Sequence, residues 1–134
     1  MAIAKVIRIN PFDQTIEWVE YDASDYKNLY RLLSVPEHLV DCFTATYPQG
    51  MVVGDALFCD DEGLLKGETQ FFEWKGYGQP LAGCAVIVGS DDNGDSVSCK
   101  TSIETVRGLV KFVGPKHGDD VLAQYPPRFY SLND

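Results

Sequence analysis

Two stretches near the start of the chain, residues 3–9 (IAKVIRI) and 15–21 (TIEWVEY), are β-branched and aromatic runs, and Asn10 to Gln14 between them carry turn chemistry. They predict a β-hairpin. Tyr26, Leu29, Tyr30 and Leu33 then recur at i, i+3, i+4 and i+7, which predicts an amphipathic helix over residues 24–34, capped by Asp22 or Ser24 and ended before Pro36. Residues 42–47 (CFTATY) and 51–59 (MVVGDALFC) predict two strands that pair across Pro48-Gln49-Gly50, with Gly54 marking a bulge. Residues 60–63 form a turn, and the short aromatic run 69–74 (TQFFEW) reads as a strand between glycines.

The best-defined pair is 84–90 (CAVIVGS) with 95–100 (DSVSCK), where Asn93-Gly94 suits the positive φ angles of a type I′ turn. Thr101 and Glu104 have capping-box spacing, and Ile103, Val106, Leu109, Val110 and Val113 form an apolar stripe. They predict a second helix over 102–113, stopping at Gly114-Pro115. The remaining tail, residues 115–134, has no clear period; at most one helical turn is expected, with Pro126-Pro127 extended, while Val121, Leu122, Tyr125, Phe129 and Tyr130 give it something to bury.

Direct hairpins argue against a parallel sheet, whose crossovers each need a helix. The expectation is an α+β fold: a mostly antiparallel sheet of about five to seven strands with two main helices packed on one face. Residues 1–114 form a single domain, with 115–134 as a tail that packs on it or is partly flexible.

Composition leaves this picture standing. At 134 residues and 14.9 kDa, with 45% apolar and 23% charged residues, the chain can bury a core without a metal or disulfide. No apolar run approaches the roughly 18 residues of a membrane span, and Lys5, Arg8 and Pro11 interrupt the start too early for an export signal, so a cytoplasmic protein away from the membrane is expected. Cys42, Cys59, Cys84 and Cys99 make no CxxC pair and read as reduced core residues. A net charge of −9 and a pI near 4.5 disfavour direct binding of nucleic acid, which needs a basic face.

Candidate chemistry is thin. Asp91, Asn93 and Asp95 place oxygens at alternate positions, but the glycine is fourth rather than sixth and Ser102 is twelfth, so a hairpin turn is preferred to a calcium loop. His38 and His117 belong to no zinc spacing. No serine lies in a GxSxG elbow and no glycine cluster matches a phosphate loop, so no catalytic residue, metal or cofactor is expected. Asp60, Asp61 and Glu62 form an acidic turn that could face a partner. Phe71, Phe72, Trp74 and Tyr77 concentrate aromatic area; alternation sends Phe72 and Trp74 to one face and Phe71 to the other, core packing is the default reading, and the alternative is that one face, with Trp74 and Tyr77, anchors a partner or stacks on a small ligand.

The segment Asp60-Asp61-Glu62-Gly63-Leu64-Leu65-Lys66-Gly67, followed by Pro80-Leu81-Ala82-Gly83-Cys84-Ala85-Val86-Ile87-Val88-Gly89, resembles a family of small domains of unknown function encoded by bacteriophages and mobile elements. In that family a strand ends in an Asn/Asp-Glu-Glu-Gly turn and a G-x-A-V-V-x-G strand follows. Asp60 stands where asparagine is usual, and no Leu-Pro-x-Asn segment follows Gly67. The resemblance implies a phage-type context and action inside bacteria, and no activity.

The favoured expectation is a non-enzymatic accessory protein that binds a host protein, in host takeover or in blocking a defence system; whether it forms homo-oligomers is open. A second is a small-ligand or nucleotide-sequestering protein using Arg107, Lys111 and Lys116 as its basic cluster. A third is a DNA mimic that presents Asp55, Asp60, Asp61, Glu62, Glu68 and Glu73 in place of phosphates.

Overall fold

Asn10 organises the first turn: its Oδ1 accepts the N–H groups of Phe12 and Asp13 at 3.0 and 3.3 Å. On either side of that turn, β1 (Ile3–Asn10) and β2 (Thr15–Asp22) pair antiparallel as expected, with Ile3 opposite Asp22 and Asn10 opposite Thr15. The computed structural model describes residues 3–24, 27–33, 43–60, 68–117, 120–121 and 123. Along these follow α1 (Lys27–Leu33), β3 (Phe43–Thr46), β4 (Asp55–Asp60), β5 (Glu68–Trp74), β6 (Leu81–Ala82), β7 (Ala85–Ser90), β8 (Ser96–Val97), α2 (Ile103–Leu109) and β9 (Val110–His117).

The strands make two antiparallel sheets. The larger runs β2-β1-β7-β4-β3, with β8 also on β7; the smaller runs β6-β5-β9. Alternation along β1 and β7 divides the core. Ile7, Ile9, Ala85 and Ile87, with Leu57 and Cys59 beside them on β4, face Phe72, Trp74 and Leu81 of the smaller sheet, so the main core fills the space between the sheets. Val6, Val86 and Val88 face the other way and meet Leu29 and Leu33 of α1. Phe71, on the outer face of the small sheet, packs with Ala82 and Val121. The expected split of Phe72 and Trp74 from Phe71 is therefore realised.

Several expectations are corrected. Among the described residues there are two sheets, not one, because β5 and β9 pair with each other and cover the larger sheet. The helices do not share a face: Ile103 and Val106 of α2 enter the main core, while α1 lies on the opposite side of the larger sheet. The second helix stops at Leu109 rather than at Gly114-Pro115, and the chain runs on as β9 through both residues. Residues 106–113 satisfy a helical stripe and a strand alternation at once. The choice falls to β5, which buries Val110 and Phe112 against the main core. A bulge opposite Phe71/Phe72, with Gly114 at φ 82°, absorbs the residue that would break register.

Smaller corrections concern the turns. The N-cap of α2 is Ser102, whose Oγ accepts from Thr105 N–H at 3.1 Å; Thr101 instead turns inward. Asn93 is not in the left-handed region. Asp91 N–H donates to Asp95 O and Gly94 N–H to Asp91 O, making a three-residue loop in which Gly94 alone has positive φ. The Asp91 Oδ1, bonded to Asn93 and Asp95 N–H at 2.9 Å each, holds it in that form. The strand expected over 51–59 begins only at Asp55, and Gly54, at φ 100°, belongs to the turn before it rather than to a bulge. The turn expected at 60–63 begins at Asp60, which ends β4; its residues 61–63, the approach to Pro36, Cys42 and the segment 124–134 lie outside the described residues, as do residues 25 and 26 between the Asp22–Ser24 turn and α1.

One buried polar cluster ties these pieces together. Asp55, 2% exposed, accepts Lys100 N–H at 3.0 and 2.9 Å, Thr101 N–H at 2.7 Å and the Thr101 hydroxyl at 2.6 Å. Thr101 Oγ1 in turn accepts Val52 N–H at 2.9 Å. Replacing Asp55 with alanine strands three donors in a dry site, so Asp55→Ala should destabilise the fold by about 3–5 kcal/mol in urea unfolding. A loss below about 1 kcal/mol would show the cluster to be dispensable. At Gly89 an added Cβ would stand 2.4 Å from Ser98 O, so Gly89→Ala should also destabilise, by about 1–3 kcal/mol.

Candidate functional site

Among the described residues, those singled out from sequence do not assemble into one site. Trp74 is 2% exposed and its indole N–H donates to Gln49 O at 2.9 Å; it anchors the 47–54 loop from within and offers no surface to a partner. Tyr77 is half-buried against the main core, with its N–H on Trp74 O. Asp60 ends β4 opposite Phe43, while Asp61 and Glu62 lie outside the described residues.

The basic trio is split. Cross-strand partners share a face, so Lys111, opposite Glu73, and Lys116, opposite Thr69, lie on the outer face of the small sheet with Phe71. Arg107 is on α2 and reaches β2, donating from Nη2 to Ile16 O at 3.0 Å beside a hollow of about 490 Å³ lined by Gln14, Glu17, Val110 and Phe112. The acidic row of the mimicry reading also loses members: Asp55 is buried, and Glu73 faces Lys111.

What the tertiary structure does assemble is a groove along the first hairpin. Lys5, Trp18 and Glu20 lie on the face of β1 and β2 that carries Ile7, and with Val19, Ser98 and Cys99 they line a cavity of about 630 Å³. Trp18 is 44% exposed although it sits mid-strand. A tryptophan that retains this much surface on a regular element is a candidate contact residue. Lys5 N–H donates to Ser98 Oγ at 2.8 Å and Lys5 O accepts Cys99 N–H at 3.0 Å, which fixes the 98–99 segment as one wall. Glu17 and Glu20 are exposed on the same strand.

Sequence reasoning placed Trp18 in a strand but gave it no role. The signal available was two glutamates inside an otherwise apolar strand, a pattern that guards an unpaired edge. A second exposed apolar patch lies on the 47–54 loop, where Tyr47 and Val52 accompany Val53, which is 95% exposed.

Cys99 forms part of the groove wall and holds its thiol proton more firmly than an exposed cysteine. Burial raises its thiol from the ordinary 9.0 to about 11, reinforced by the Asp55 carboxylate and partly offset by backbone hydrogen bonds from the segments at Ile7 and Thr101. Cys59 and Cys84 are also buried.

Comparison with known families finds that residues 4–120 match one family model, described as Domain of unknown function (DUF3846). No curated protein and no solved structure matches the chain.

Because the raised group is a thiol, the folded state holds its proton more tightly than the unfolded chain. The stability contributed by the neutral Cys99 is present below pH 9.0 and is lost as pH rises towards about 11. Urea unfolding of the wild type across that window should show a fall in stability that is diminished in Cys99→Ser, after each is referred to its own value near neutral pH. An identical pH dependence in both would remove Cys99 as the source.

Proposed function

The chain belongs to the DUF3846 family, a domain of unknown function, and from its surface we propose that it is a non-enzymatic accessory protein that acts by binding a protein of a bacterial host. The observation that carries this reading is Trp18, exposed beside an acidic strand and a groove of about 630 Å³. Support for a phage-type context comes from the resemblance of the Asp60–Gly67 and Pro80–Gly89 segments, and action in the host cytoplasm, in takeover or in the blocking of a defence system, is part of the same proposal. A surface of −9 net charge favours basic partners and resists non-specific contact with nucleic acid.

The same groove supports a second reading. Its volume falls within the roughly 300–1,000 Å³ of small-molecule sites, and Trp18 offers a stacking face with Lys5 and Glu20 as polar groups. On this reading the ligand would sit against Trp18, not on the divided Arg107, Lys111 and Lys116 set. Native mass spectrometry of protein purified from bacterial cells separates the two: a stoichiometric small-molecule adduct lost in Trp18→Ala favours the ligand.

Affinity purification from bacterial lysate tests the main reading. Wild-type protein should retain a stoichiometric host protein, and Trp18→Ala, with an unchanged unfolding midpoint, should lower its affinity by roughly 30-fold, as expected of a central aromatic contact. Absence of any stoichiometric partner would remove the proposal.

A further inference from the structure

The direction of the backbone groups along β2 follows from its neighbour. Lys5 spends both its N–H and its C=O on the 98–99 segment, the side of β1 away from β2. In an antiparallel pair a residue's N–H and C=O leave on the same side, and successive residues alternate. Lys5 is opposite Glu20, so this is a non-hydrogen-bonded pair, and the backbone groups of Glu20 point out of the sheet. Ile16, Trp18 and Asp22 share that parity. The Ile16 carbonyl confirms it, because Arg107 takes it up from outside at 3.0 Å. Beyond this contact, the outward N–H and C=O groups of Trp18 and Glu20 have no backbone partner among the described residues.

Two consecutive outward-facing residues are the template for an added strand. Charge decides what can occupy it. Glu17 and Glu20 are both exposed within this stretch and the whole chain carries −9, so a second copy laid along the edge would bring acidic strand against acidic strand. An extended segment bearing Lys or Arg avoids that pairing of acidic strands, with Lys5 and Arg8 standing opposite Glu20 and Glu17 on the inner strand β1 rather than on the open edge, and Trp18 with the groove beside it offers an apolar contact for an alternate side chain.

We propose that the outer edge of β2 receives an extended, Lys/Arg-bearing segment of a partner protein as an additional antiparallel or parallel strand, bonded to the backbone of Trp18 and Glu20 and anchored against the Trp18 ring. This deepens the protein-binding reading and rests on it. The backbone of Glu20 is the discriminating element: its N–H serves an incoming strand and takes no part in the pairing with β1.

The probe is a fluorescein-labelled peptide of about nine alternating Lys and Val residues, the length of one strand, with a Glu/Val counterpart and a version N-methylated at alternate backbone positions. Fluorescence anisotropy with the full chain should show binding of the Lys/Val peptide, none of the Glu/Val peptide, and weakening by about tenfold or more on N-methylation, which leaves the charge unchanged. Glu20→Gln, which keeps the N–H, should weaken binding only a few-fold, whereas Glu20→Pro, which removes it from an edge position that tolerates proline, should weaken it by about a further tenfold. Hydrogen exchange at the Trp18 and Glu20 amides should slow by about tenfold or more at saturation.

Equal binding of the N-methylated peptide, or protection elsewhere than Trp18 and Glu20, overturns the proposal, and the N-methyl comparison stands whether or not the proline variant folds. So does a self-associated wild type in sedimentation that becomes monomeric in Glu20→Pro, or a small molecule that alone fills the groove. A host protein retained equally by the wild type and by folded Glu20→Pro discards the strand-addition mode and leaves the protein-binding reading intact; no peptide binding together with no host partner removes both.

Discussion

The carboxylate of Asp55 is the constraint on which the rest of the arrangement depends. Its acceptors are filled by the backbone of Lys100 and Thr101 and by the Thr101 hydroxyl, so a charged group is held in a dry place only because the chain before α2 wraps onto it. Three things follow from that grip. The start of β4 is joined to the entry of α2, the 47–54 loop is tied in through Val52 N–H, and the 98–99 segment is delivered to the side of Lys5. Gly89 permits it, since a side chain there would collide with Ser98 O and crowd Asp55.

With α2 fixed, the two layers have no freedom to choose their faces. Ile103 and Val106 join Ile7, Ile87, Phe72 and Trp74, closing the space between the sheets, and the chain leaves α2 directly as β9 to pair with β5. On the far side of the larger sheet α1 is held by Leu29 and Leu33 and by Arg8, which donates from Nε to Leu32 O at 2.8 Å and so satisfies a carbonyl at the helix C-terminus. Each helix thus seals one face of the same sheet.

The groove is a by-product of the same geometry. The 98–99 segment takes the place beside β1 that a full strand would fill, and among the described residues β2 is an edge with one neighbour. Trp18 retains its exposure because nothing among the described residues crosses it, and the glutamates around it blunt an edge that would otherwise pair indiscriminately. Acidity, which in composition alone suggests little beyond solubility, is placed at this strand on both sides of an exposed tryptophan, where like charge opposes pairing with a second acidic strand.

Local information in the chain determined the first hairpin and its turn, the position of both helices to within a few residues, the 69–74 strand with its two-sided aromatics, and the antiparallel character of the whole. Each of these is set by side chains close in sequence: Asn10 on its own turn, the 3.6 spacing of Leu29 and Leu33, the period of two at Phe71, Phe72 and Trp74. Tertiary structure alone decided that residues 110–117 extend as a strand, that Trp18 is surface, that Arg107 parts from Lys111 and Lys116, and which edge of β2 no other described strand pairs with. The reason is common to all four. Residues 106–113 fit both periods, and strand alternation says which residues share a face but not which face or edge is covered; those answers come from partners tens of residues away, chosen by the burial they bring.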